Sequence, residues 1–159
     1  LSASSGFAVR AVDTSHGYPD KGKCQVSVGK ATPQTATANL FTVTGTIVCS
    51  LVGVISTVLG AVAQHLNVGV TGSPTAIAAN STVALNATAA GAVIAMPQVL
   101  GGALPAPVIA SGTPAGAMLL QVSNTSITLT SDASTTGNIT WILSWVPLFP
   151  KKNASVVTN

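Results

Sequence analysis

Charge is what this sequence has least of. Lys, Arg, Asp and Glu make up 6% of its 159 residues, against about 25% in ordinary soluble domains, and there is no glutamate at all. Aromatics stand at 4%, and the cysteines are two, Cys24 and Cys49. Each shortage excludes something. The three acids, Asp13, Asp20 and Asp132, are too scattered to place a carboxylate pair across a cleft for acid–base work. His16 and His65 stand alone, whereas a zinc site needs three or four ligands. Neither a Cys49–His65 nor a Cys24–His16 pairing has the surroundings of a nucleophile and its base. Gly101-Gly102 runs into Ala103-Leu104-Pro105, without the Lys and helix start of a phosphate loop. The expectation is a protein that is not an enzyme and uses no cofactor and no metal. Two cysteines are also too few for a small secreted disulfide scaffold and read as free, buried thiols, with a Cys24–Cys49 bridge as the alternative.

The charge that exists sits at the ends. Arg10, Asp13, Asp20, Lys21, Lys23 and Lys30 lie early, Lys151 and Lys152 late, and only Asp132 lies between. The net +3 therefore belongs to the termini. It does not form a basic stripe with interleaved aromatics, so no nucleic-acid partner is expected. Residues 1–15 lack a basic start followed by an apolar run and do not read as a signal peptide. The Asn-x-Ser/Thr triplets at Asn80, Asn86, Asn124, Asn138 and Asn153 are what a chain rich in Ser and Thr produces by chance. Hydrophobic residues are at 47%, which excludes disorder. A folded body with so little charge tends to associate. Its surface is expected to meet other subunits or, as the alternative, a membrane.

Along the chain, residues 1–38 read as an extended N-terminal arm. They hold most of the charge, a turn at Gly17-Tyr18-Pro19-Asp20, and an extended linker at Thr32–Thr37. Within the arm Cys24–Val28 can add a short strand. Residues 39–159 read as a β-sandwich domain, because short β-branched runs alternate with turn signals. Phe41–Thr44 alternates, Gly45 interrupts, and Thr46–Leu51 resumes. Further strands are expected at Leu66–Val70, Thr82–Leu85, Ala92–Met96, Ala117–Val122, Ser126–Thr130 and Asn138–Val146. Turns are expected at Thr71–Pro74, Gly101-Gly102, Pro105 with Pro107, Gly112–Pro114 and Ser134–Gly137. In the last strand Ile139, Trp141, Leu143 and Trp145 share one face; with Phe41 and Val43 they are the candidate core or subunit interface. The other face carries Thr140, Ile142, Ser144 and Val146, so both can be covered, and Pro147 closes the strand.

Ile47–Ala63 is uncharged over seventeen residues, the lower limit for a membrane span. Leu51, Val54, Ile55, Val58, Leu59, Val62 and Leu66 also fit helical spacing. Gly53, Gly60 and the many β-branched residues favour strands, with a soluble helix or a membrane helix as alternatives. Ala87–Ala117, made largely of small residues, permits close backbone approach, as at an axis between subunits.

Two segments resemble tailed-bacteriophage virion structural proteins. Phe41-Thr42-Val43-Thr44-Gly45 fits an opening "F-x-V-x-G" strand, followed by the apolar Leu51–Thr57 with its central Gly53. Gly137-Asn138-Ile139-Thr140-Trp141 with Trp145-Val146-Pro147 fits a closing "G-x-I-x-W" strand. The Ala/Gly-rich middle, the Lys151-Lys152 tail and the arm depart from the pattern. The resemblance implies an all-β, jelly-roll-like sandwich, often trimeric, on the outer surface of the capsid as a decoration or cement protein. Its partners would be copies of itself and the major capsid protein or other virion subunits. The candidate shell contacts are Phe7, Val9, Arg10, Tyr18, Lys21, Lys23, Val26, Val28 and Lys30. A fibre or knob binding a host glycan through Thr71–Asn80 or Ser131–Gly137 is the alternative with the same fold. A small membrane-associated protein is the third.

Overall fold

The computed structural model describes residues 24–108, 118–149 and 154–159. Within them the chain is all β, in two antiparallel sheets. In chain order the strands are β1 (Gln25–Ala31), β2 (Ala38–Thr44), β3 (Thr46–Thr57), β4 (Leu66–Val70), β5 (Ser73–Ala78), β6 (Val93–Ala95), β7 (Leu120–Ser123), β8 (Ser126–Ser131), β9 (Asn138–Pro147) and β10 (Ser155–Thr158). Sheet A has the order β1-β9-β3, and the far side of β3 is shared by β6 and β7. Sheet B has the order β10-β2-β8-β4-β5.

Period-two alternation explains why these segments are strands and which way they face. β3 buries Ile47, Cys49, Leu51, Gly53 and Ile55, and its intervening residues are half-buried on the other side. β9 does the same with Ile139, Trp141, Leu143 and Trp145. Opposite them sheet B contributes Leu40, Phe41, Val43, Leu66, Val68, Ile127 and Leu129. The stretch Ile47–Ala63 is thus a long strand followed by a loop. Among the described residues no helix is long and apolar enough to cross a membrane.

Several expectations need correction. Gln25–Ala31, counted above with the arm, pairs with β9 along its whole length, from Gln25 opposite Trp145 to Ala31 opposite Ile139. Gln25–Ala31 therefore belongs to the sandwich. The cause is local: Ser27 and Gly29 turn inward, and Ser27 Oγ accepts a hydrogen bond from the Trp145 indole at 3.1 Å. Thr32–Thr37 is not free spacer either. Thr32 bonds Asn138, and Gln34 and Thr35 bond Thr135 and Ser134, which fastens the crossing between the sheets. Thr82–Leu85 is not a strand. Its amides go to loop carbonyls, Thr82 to Leu104 and Leu85 to Gln64, and Leu85 acts as a single buried plug. The Thr71–Pro74 turn shrinks to Thr71-Gly72, and Ser73 and Pro74 open β5. Proline is tolerated there because β5 is an edge strand. β10 was not anticipated.

The Ala-rich segment after β5 closes one open side of the sandwich. It bonds β5 through Ala79–Gly102 and Gly101–Ile77 and reaches β3 through β6. Ala92, Ile94, Met96 and Leu104 turn into the core. At the β2–β3 connection Gly45 has φ +78, a conformation costly for a residue with a Cβ. The turn is held by Asn124, whose Oδ1 accepts the Gly45 amide at 2.8 Å and whose own amide donates back to Gly45 O at 3.0 Å.

Trp141 is fully buried and lies across the backbone of Gly53, its partner on β3. A Cβ on Gly53 would stand 2.9 Å from Trp141 Cζ3 and 3.1 Å from Cη2, inside van der Waals contact. Gly53→Val is therefore expected to destabilise the chain by about 1–3 kcal/mol through overpacking, even though valine is the better strand former. Thermal unfolding reads this directly; a midpoint equal to or above the parent's would refute the close stacking.

Candidate functional site

Among the described residues the charged side chains are Lys30 and Asp132, joined by His65 when protonated. His65 precedes β4 and Asp132 follows β8. They meet because β4 and β8 pair with Leu66 opposite Ser131. Asp132 Oδ1 accepts the His65 backbone amide at 2.6 Å, and Oδ2 lies 2.7 Å from His65 Nδ1. The Asp132 amide donates in return to His65 O at 3.2 Å. The backbone amide of His65 is the main cause that holds the Asp132 carboxyl below the usual carboxylate range, with the imidazole adding to it. The nearby hydroxyl, Ser131 Oγ, lies 3.3 Å from both Gln64 Oε1 and His65 O, either of which can accept its one proton. It is engaged with these oxygens and does not contact the imidazole, so the pair lacks the nucleophile–base geometry of acyl transfer. It is a clamp across one end of sheet B. No group of three or more His, Cys, Asp or Glu among the described residues is gathered to hold a metal.

The cysteines are both free, but only Cys49 is buried; Cys24 is exposed, against the expectation of two buried thiols. Burial pushes the Cys49 thiol up to about 11, because a thiolate loses hydration inside the core.

What distinguishes the molecule is the contrast between its two outer faces. Sheet B presents mainly hydroxyls and amides, from Thr42 and Thr44 of β2, Ser126 and Thr130 of β8, and Asn67 of β4, together with the exposed Val157 of β10 opposite Thr42, while Thr128 on this face is buried. Two pairs of hydroxyls bond across this face, Thr42 with Ser126 and Thr130 with Thr37, which precedes β2, both at 3.1 Å. Two shallow hollows of about 570 and 300 Å³ lie here, lined mainly by Thr, Asn and Ser without an aromatic ring.

Sheet A presents a different surface. Rows run across β1, β9 and β3: Val26, Ser144 and Ser50; then Val28, Ile142 and Val52, continued by Ala95 of β6; then Lys30, Thr140 and Val54, continued by Val93. Val146 and Val48 add a further row ending in Gln121 of β7. Val26 and Val28 are 61% and 54% exposed, and Leu119, just before β7, is 74% exposed. Leu119 stands beside a depression of about 230 Å³ lined by Cys24, Val48, Ser50, Ser144 and Val146 among others. Among the described residues Lys30 is the one charge on the face, at its corner.

The residues singled out in the sequence fall into three groups. Phe7, Val9, Arg10, Tyr18, Lys21 and Lys23 lie outside the described residues. Val26, Val28 and Lys30 project from the outer face of sheet A. Phe41, Val43, Ile139, Trp141, Leu143 and Trp145 are buried between the sheets. Val48, Val52, Val54 and Leu119 went unrecognised as a surface. The available signal was that β3 is apolar at nearly every position, on both faces, when a half-solvated strand should alternate with polar residues.

Two outcomes follow from the clamp and the buried thiol. Asp132→Ala removes both clamp bonds and should cost about 1 kcal/mol, which is roughly 2–4 °C in a chain of this size. A carboxyl whose folded pKa is depressed stabilises at pH above its unfolded value and loses that contribution as pH falls through the folded value. The gap between parent and variant should therefore be present at pH 7 and close below about pH 4; a gap constant down to pH 2 would remove the electrostatic part. In a Cys24→Ser background, Cys49 should take up no thiol reagent at pH 8 until the chain is unfolded, and labelling of the native protein within minutes would contradict its burial.

In comparisons with known proteins, no protein-family model, no curated protein and no solved structure matches this chain.

Proposed function

We propose that this chain is a non-enzymatic structural subunit of a tailed-phage particle, a decoration or cement protein on the outer surface of the capsid. The observation that carries the reading is the largely apolar outer face of sheet A, with Lys30 its one described charge, on a sandwich whose described residues hold only two charged side chains. A body of this kind is suited to being covered by other subunits. The fold reading that goes with it is a jelly roll, eight strands in two sheets. Its support is the strand order: with β6 and β10 set aside, the sheets run β1-β9-β3-β7 and β2-β8-β4-β5, and nearly every connection crosses from one sheet to the other.

In this reading the subunit associates with itself, as a trimer, and residues 1–23 reach across neighbouring shell subunits. Phe7, Val9 and Tyr18 supply apolar contacts, and Arg10, Lys21 and Lys23 pair with an acidic shell surface. Individual contacts are weak, and affinity comes from many copies engaging at once. The protein performs no chemistry; it binds the assembled shell only and thereby raises the free energy of opening it. Glycan recognition on the same fold ranks lower, because the hollows of sheet B offer hydroxyls and amides but no ring on which a sugar stacks.

The test adds purified protein to particles lacking it. The full chain should sediment with the particles and raise the temperature at which they release DNA. A chain lacking residues 1–23 keeps every described strand, so it should remain folded and fail to sediment. A full chain that stays in the supernatant would overturn the assignment; retained binding by the truncated chain would remove the arm from it.

A further inference from the structure

We propose that the outer face of sheet A is covered by a second copy of this chain, so that Val26 and Val28 belong to the contact between subunits and not to the contact with the shell. This rests on the self-association proposed above and names the surface that makes it.

Three observations select a copy of the chain over another partner. The first is that the apolar character is local. Sheet B, built from the same residue pool, carries mainly hydroxyls and amides on its outer face, with Val157 an exposed aliphatic exception, whereas sheet A covers its own with Val28, Ile142 and Val52 in unbroken cross-strand contact. The one described charge on this face, Lys30, lies at its corner, so two copies can meet over Val28, Ile142 and Val52 without removing an ion from water. The chain itself supplies such a face at equal concentration, and the central row of Val28, Ile142 and Val52 carries no charge to oppose self-pairing, Lys30 standing at the rim.

Size is the second. Strands lie about 4.8 Å apart, and side chains on one face repeat at about 6.8 Å. The four rows over four strands therefore span about 500 Å² in projection, with a larger accessible area once the side chains are followed. That is the scale of one partner's share of a standard interface, about 800 Å².

Relief is the third. Leu119 protrudes directly beside the depression floored by Ser50 and Ser144. A knob and a hole on one surface allow each copy to fill its neighbour's depression, which is how self-complementary interfaces are built. Two such faces can pack like the layers of a sandwich, about 10 Å apart.

The experiment is light-scattering mass of the full chain and of Val28→Lys, with Thr42→Lys on the outer face of sheet B as the control. Val28 is half exposed on an edge strand, so lysine is compatible with folding, and far-ultraviolet circular dichroism checks this. Val26→Lys, at a still more exposed position, gives the same readout should the first variant misfold. The expected result is a parent of two or three chains, an unchanged control, and association weakened about a hundredfold or more in Val28→Lys, as for loss of a central contact residue. A folded Val28→Lys and Val26→Lys with the parent's mass would overturn this face while leaving self-association intact. A parent that remains a single chain at high concentration would overturn both.

Discussion

The ladder between β3 and β9 is the constraint on which the rest depends. It runs from Ile47 opposite Pro147 to Thr57 opposite Asn138, with one irregularity near Ile55. Side chains alternate strictly along a strand, so this single register decides two surfaces at once. It sends Trp141, Leu143 and Trp145 inward with Leu51 and Ile55, and by the same alternation it sends Ile142, Val146, Val48 and Val52 outward. A slip by one residue would place both tryptophans in solvent. Gly53 locks the register further, because only a residue without a Cβ leaves room for the Trp141 ring. The outer face of sheet A is thus the reverse side of the core and follows from the same pairing.

How far the sequence discloses this depends on whether a signal is local. β9 is legible because its alternation is sharp and its large residues are all of one parity. β3 is harder. A strand with apolar residues on both faces contains them at nearly every spacing, including three and four, so Leu51, Val54, Ile55, Val58 and Leu59 imitate a helix. The β-branched content decides correctly, but periodicity alone does not. β1 is legible as a short strand at Cys24–Val28, but the charged residues before it group it with the arm, and β5 is hidden by Pro74, which reads as a turn unless the strand is known to be at an edge. β10 is four residues long and has no pattern of its own; it exists because β2 offers an open edge. Thr82–Leu85 shows the converse failure, a β-branched run that lacks a neighbouring strand to pair with. The His65–Asp132 clamp joins residues 67 apart, and only the pairing of β4 with β8 brings them together.

The sheet edges show how a chain with almost no charge limits unwanted pairing. β5, at one edge of sheet B, carries Pro74, which cannot donate to an added strand. β6 and β7 are short, and the Ala-rich segment ties β5 to β6 across that side. At the opposite side β1 places Lys30 near its end, and β10 is short. These devices oppose edge-to-edge growth, while among the described residues no element is laid over the broad face of sheet A.

That asymmetry gives the molecule an orientation. A sandwich that is to stay apart from its copies has reason to wet both outer sheets, and sheet B shows that this sequence can do so without charge, by pairing Thr with Thr and Thr with Ser across strands. Sheet A has the same geometry and the same access to Ser and Thr, yet places Val and Ile at the centre of its rows and confines hydroxyls to Thr140, Ser144 and Ser50. The difference cannot come from composition, which both sheets share, nor from the needs of the core, which lies on the other side of each strand. It is accounted for if the two faces meet different surroundings: sheet B water, and sheet A a surface as dry as itself.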